Sequence, residues 1–132
     1  MPNITTTNYL YSAGAIELAY GMHRDELLTF AGAGTVLAGT ILARSSATNK
    51  LVPFVIGGAT GSGTPVAVMT YDVTATGAGD VSVRALVKGE VNRNRLIVAA
   101  DGNGNNLTNA HLDMLRDYGI TPVDVQTLAT QV

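Results

Sequence analysis

Alternation of apolar and polar side chains is clearest near residue 85. Val81, Val83, Ala85, Val87 and Val91 alternate there with Ser82, Arg84, Lys88, Glu90 and Asn92. A period of two sends successive side chains to opposite faces, so this stretch predicts a strand with one buried and one wet face. Leu86 and Gly89 break the pattern. The preceding run from Val66 to Thr74 is rich in Val, Thr and Tyr, and Thr76-Gly77-Ala78-Gly79-Asp80 lies between the two as a turn. Together they predict a hairpin. A slip of one residue would turn the valines outward, so the register is firmly specified.

Upstream, Leu27-Leu28-Thr29-Phe30 is a short apolar run stopped by Ala31-Gly32-Ala33-Gly34. Gly34-Thr35-Val36-Leu37-Ala38 and Gly39-Thr40-Ile41-Leu42-Ala43 are near-copies of one phrase. The repeat is too short for a solenoid, so it predicts two extended segments around a glycine kink. In Leu51-Val52-Pro53-Phe54-Val55-Ile56, Pro53 favours a place at a sheet edge.

One helix is signalled. Thr108 suits the N-cap, Leu107 and Leu112 the two ends of a hydrophobic staple, and Gly119 the glycine after the last turn. Leu112, Leu115 and Tyr118 are spaced to line one face, away from Asp113, Arg116 and Asp117. A helix of about ten residues needs packing against the sheet. Ile120 to Val125 is expected to add a short strand interrupted at Pro122, and Gln126 to Val132 a frayed tail. The fold class is therefore mainly β with one short helix (α+β), a small β-sandwich or barrel.

Residues 1–26 hold no sustained period. They contain Tyr9, Tyr11 and Tyr20, three of the chain's five tyrosines, together with Ile16 and Leu18. Tyrosine offers a large amphipathic contact area and is enriched in interfaces. This segment is expected to be an extended arm that orders on a partner, with residues 27–132 as the β-rich domain; a first strand of the core is the alternative.

Composition sharpens this picture. Only 14% of the 132 residues are charged, against about 25% for an ordinary soluble domain. Between Leu27 and Lys88 the charged residues are Arg44, Lys50, Asp72, Asp80, Arg84 and Lys88 alone. So neutral a surface is expected to be covered by other subunits; the alternative is a Gly/Thr/Ala-rich β-protein that relies on hydroxyls for solubility. The net charge is −2 and the cations are dispersed, so nucleic acid is not an expected partner. The longest apolar runs, such as Leu96 to Ala100, fall far short of the ~20 residues that span a bilayer, and no basic start precedes an apolar run as in a secretory leader. Membrane insertion and secretion are not expected.

No motif carries catalysis. Gly57-Gly58-Ala59-Thr60-Gly61-Ser62-Gly63-Thr64 has no lysine where a phosphate loop requires one, and a flexible loop is expected. Asp101-Gly102-Asn103-Gly104-Asn105 begins like a calcium loop, but Asn106 and Leu112 stand where glycine and the bidentate glutamate belong, so a turn is expected. His23 and His111 each lack a second histidine at helical spacing, and a solvated role is expected for His111. There is no cysteine and no Gly-x-Ser-x-Gly elbow. Asn3-Ile4-Thr5 and Asn106-Leu107-Thr108 fit the glycosylation sequon by chance. No enzyme activity, metal or cofactor is expected. A β-barrel module binding a small ligand or glycan remains the other class of function, with Phe30, Phe54, Tyr71 and Tyr118 as its sparse aromatics.

Several phrases occur in a telling order: Gly39-Thr40-Ile41-Leu42-Ala43-Arg44, Lys50-Leu51-Val52-Pro53-Phe54, and Ala67-Val68-Met69-Thr70-Tyr71-Asp72-Val73. Then follow Gly79 to Val91 and a helix ending Leu115-Arg116-Asp117-Tyr118-Gly119-Ile120. From Gly39 to about Val125 the chain thus resembles the phage lambda-type head decoration proteins; the first 38 or so residues carry none of these phrases. The resemblance implies a compact β-rich protomer forming homotrimers. It also implies a virion location, on the outer surface of the expanded capsid after synthesis in the host cytoplasm, with the major capsid protein as partner. On that reading the arm residues Tyr9, Tyr11, Ile16, Leu18 and Tyr20 are the expected capsid contacts.

Overall fold

The computed structural model describes residues 16–19 and 21–125. These residues form β1 (Met22–Phe30), β2 (Gly34–Val36), β3 (Ile41–Arg44), β4 (Leu51–Pro53), β5 (Pro65–Val68), β6 (Val73–Ala75), β7 (Gly79–Asn92), α1 (Asn109–Tyr118) and β8 (Ile120–Val123). The main sheet runs β1-β4-β3-β5-β7-β8, and β1 also pairs with β7. That extra pairing closes five strands into a small barrel, with β8 attached to β7 outside the ring. β2 and β6 form a separate two-stranded ribbon.

Alternation along each strand feeds two cores, because side chains at successive positions face opposite sides. Leu28, Leu42, Leu51, Ala67, Val83 and Ala85 form one cluster, which Val36, Val73 and Ala75 of the ribbon join. Ile41, Ala43, Val68 and Leu86 point the other way and pack with Phe54, Leu112, Leu115 and Ile120. The second cluster is the layer between barrel and helix. Leu86, an exception to the sequence alternation, is fully buried. It sits where the outer face of β7 is covered too, so both faces there are dry.

The expected hairpin forms only in part. β5 meets β7 antiparallel at Val68↔Leu86, but β6 departs in between to pair with β2. The long partner of β7 is instead β1, in register from His23↔Leu86 to Phe30↔Gly79. A period of two fixes which face is buried and is silent about which strand lies alongside. Beyond Gly89, β7 changes partner and runs parallel to β8. The near-copy phrases likewise enter different sheets, β2 in the ribbon and β3 in the barrel, with the turn at Gly39 (φ +96°) between them.

The helix matches its sequence signals at both ends. Gly119 (φ 118°) donates its N–H to the carbonyls of Leu115 and Arg116, a close that favours glycine. At the start, the Thr108 N–H donates to Nδ1 of His111 at 2.9 Å. His111 also meets the buried Phe54 ring edge-on at 5.9 Å, so it is a cap and packing residue where a solvated one was expected. Leu112 and Leu115 are buried, but Tyr118 is 45% exposed and does not complete the apolar face. The glycine-rich loop is tied down where a flexible one was expected. Val55 and Ser62 share a backbone bond of 2.8 Å, as do Ser46 and Thr60. No helix among the described residues is long and apolar enough to cross a membrane.

Candidate assembly surface

The expected arm meets the folded body at its root. Glu17 pairs with Val91 of β7 as an antiparallel bridge; the Leu18 N–H donates to the Glu90 carbonyl and the Asn92 N–H to that of Ile16. The Ile16 side chain is buried in the layer under the helix. Both oxygens of the Glu17 carboxylate are engaged, Oε2 by the Gly21 N–H at 2.6 Å and Oε1 by Nε2 of His23 at 2.9 Å. Residues 22–26, placed in the arm by sequence, belong to β1. Of the expected capsid contacts, Ile16 thus packs inside its own protomer and Leu18 is half-buried beside β7. Tyr9, Tyr11 and Tyr20 lie outside the described residues.

Most of the sparse charges in the central region are engaged within the protomer. Arg44 grips Glu26 with two hydrogen bonds, Nη1 to Oε1 at 2.8 Å and Nη2 to Oε2 at 2.6 Å, and also donates to the Asn49 carbonyl. The Glu26 side chain is 14% exposed and that of Arg44 27%. Lys50 and Thr29 both donate to the Asp80 carboxylate. Arg84 pairs with Asp25 directly across the β1–β7 ladder, and Asp72 accepts the Ala38 N–H. These contacts tie β1 to β3 and β7, and β4 to β7, and leave the intervening outer surface largely uncharged.

The guanidinium hydrogen-bonded to Glu26 holds its carboxyl below the usual value of 4.5, against an opposing effect of burial. Hydrogen bonds from Arg84, and from Lys50 with Thr29, likewise lower Asp25 and Asp80. A depressed folded-state pKa stabilises above the unfolded value and loses that contribution as pH falls through the folded one. The thermal midpoint is therefore expected to drop steeply as pH is lowered from 4.5. In Glu26→Gln this acid limb is expected to be shallower, and stability at pH 7 lower by about 1–3 kcal/mol, because Arg44 keeps its burial and loses its charged partner. Thermal melts across pH, read by circular dichroism, check both.

One concavity has assembly character. β1 and β4 run parallel but pair at a single position, Leu28↔Leu51. Beyond it the two strands part around a groove of about 460 Å³. Phe30 and Ala31 form one wall, Val52, Pro53 and Val55 the other, and no charged residue lines it. Ser45, Thr60 and Ser62 supply hydroxyls at its edge. Val55 is 44% exposed, and its neighbour Ile56 is exposed as well.

The family model for bacteriophage lambda head decoration protein D matches residues 4–120. The chain belongs to this family. The head decoration family is one of structural capsid proteins, so the chain has a capsid decoration role, associates with the phage capsid and is located in the virion. The match begins at residue 4, well upstream of Gly39, so the N-terminal stretch that carries none of the recognisable phrases is part of the family pattern as well. No curated protein matches the chain closely. Among the described residues, no three His, Cys, Asp or Glu side chains gather to hold a metal ion.

Sequence reasoning missed both the paired charges and the groove of this decoration protein. Glu26 and Arg44 are 18 residues apart, and Asp25 and Arg84 are 59 apart; only the barrel closure brings them together. Pro53 was the one local hint of the groove, since a residue without an N–H suits a strand flank left unpaired.

Proposed function

We propose that this decoration protein is a capsid cement: a homotrimer on the outer surface of the expanded head that holds neighbouring major capsid subunits together against the pressure of packaged DNA. The family match carries this reading, and the largely self-paired charges of the central region support it, because they leave neutral surface suited to contact with other subunits. Stabilisation works by linkage. A protein that binds the assembled lattice and not free subunits shifts the equilibrium toward the lattice, and three modest contacts on one trimer reinforce each other through high local concentration. The segment before Ile16, around Tyr9 and Tyr11, adds a strand to an exposed edge of the capsid protein.

Two measurements test the proposal. Mass in solution is expected at three times 13.6 kDa. Expanded, undecorated heads mixed with the protein are expected to bind it to saturation and to disassemble at a higher temperature than bare heads. Saturating occupancy with no gain in heat resistance would remove the cementing role while leaving decoration intact.

A further inference from the structure

We propose that in the free protein the groove between β1 and β4 holds the chain's own N-terminal segment, residues 1–15, as an added strand. On its outer flank β1 already carries β7, and β4 carries β3. In the gap between them a strand could pair with Thr29 to Ala31 on one side and Val52 on the other. Extended peptides join sheets through such edges, with pockets for alternate side chains supplying selectivity.

Three observations point to this occupant. The first is charge: no side chain from Met1 to Ile16 is charged, and no charged residue lines the groove. Desolvating this segment against these walls therefore strands no ion. The second is position. Ile16 lies against Gly39, three residues along the chain from Val36, which lines the groove; three residues span at most roughly 11 Å. The third is length, since fifteen extended residues reach about 50 Å, ample for the path. A tether this short gives a millimolar effective concentration, which favours the same protomer over a second copy at ordinary dilution. The segment's composition agrees: Ile4-Thr5-Thr6-Thr7 is β-branched throughout and suited to a strand. Docked there, the arm covers an apolar groove and an open sheet edge until a capsid edge competes for it.

The test uses the full chain and no capsid, so its outcome is separate from the fate of the cementing proposal. The absence of native cysteine makes paired replacements clean. Val55→Cys is combined in turn with Thr5→Cys, Thr7→Cys, Tyr9→Cys and Tyr11→Cys, and oxidised at low micromolar concentration. At least one pair is expected to close within a single chain, migrating at monomer mass on a non-reducing denaturing gel with faster mobility than its reduced form. In parallel, Thr5→Lys, Thr7→Lys and Tyr9→Lys are combined in one chain. Amide hydrogen exchange at residues 29–31 and 52–55 is expected to speed up at least tenfold in that variant, with the helix unchanged. Cross-links that form only between chains would assign the groove to a second copy and overturn the proposal. So would unchanged exchange together with no cross-link at any position.

Discussion

Removing residues 1–14 is expected to abolish occupancy of expanded heads while the protomer still folds and melts close to the full chain. Removing residues 1–20 is expected to do something different. That cut also takes Ile16 out of the layer beneath the helix, along with the Glu17 bridge to Val91 and the carboxylate that accepts from Gly21 and His23. Emptying a buried isoleucine site costs about 2–5 kcal/mol when the surroundings relax only partly. A midpoint lower by roughly 10 °C follows for a domain of this size. Differential scanning calorimetry of the two truncations, beside a pelleting assay on undecorated heads, separates the arm from its root. Should the shorter truncation still saturate the heads, Tyr9 and Tyr11 have no part in attachment.

Gly39→Ala is expected to be the most damaging single substitution, at about 3 kcal/mol or more. Two causes add. The φ of +96° lies where a side chain costs roughly 1–2 kcal/mol. In addition, a Cβ there would run into the backbone carbonyl of Arg95 and crowd the Ile16 side chain. Neither neighbour can step aside cheaply. Gly39 donates to the Met69 carbonyl and accepts from the Ile97 N–H, while Thr40 bridges to Ile97. The segment linking the ribbon to the barrel is thus pinned on both sides. Gly32→Ala is the control, since a Cβ there meets nothing, and its effect is expected to stay within about 0.5 kcal/mol. Urea titration of both variants reads the difference, and a small loss for Gly39→Ala would mean that the turn relaxes.

The acid limb traced to Glu26, the trimer mass and the groove cross-links probe parts of the molecule that these two variants leave alone. They also differ in what made them visible. The period of two along Val81 to Val91 and the cap signals at Thr108 and Gly119 arise from chain geometry within a few residues, so one strand and the helix could be read directly. Leu86 looked like an error in that pattern. It proved to mark the place where a second layer covers the strand, which depends on where α1 packs.

The ordered phrases from Gly39 to Val125 were enough to suggest the decoration family, and the scarcity of charge was enough to suggest a surface meant for other subunits. Those properties are carried by residue identity alone. Closure of β1 onto β7, the partnering of Asp25 with Arg84 and Glu26 with Arg44, the burial of Ile16 and the parting of β1 from β4 belong to the tertiary structure. Each joins residues distant in sequence. Alternation dictates which face of a strand is apolar, and several strand neighbours satisfy that requirement equally well. The choice among them is made only when the two cores pack together.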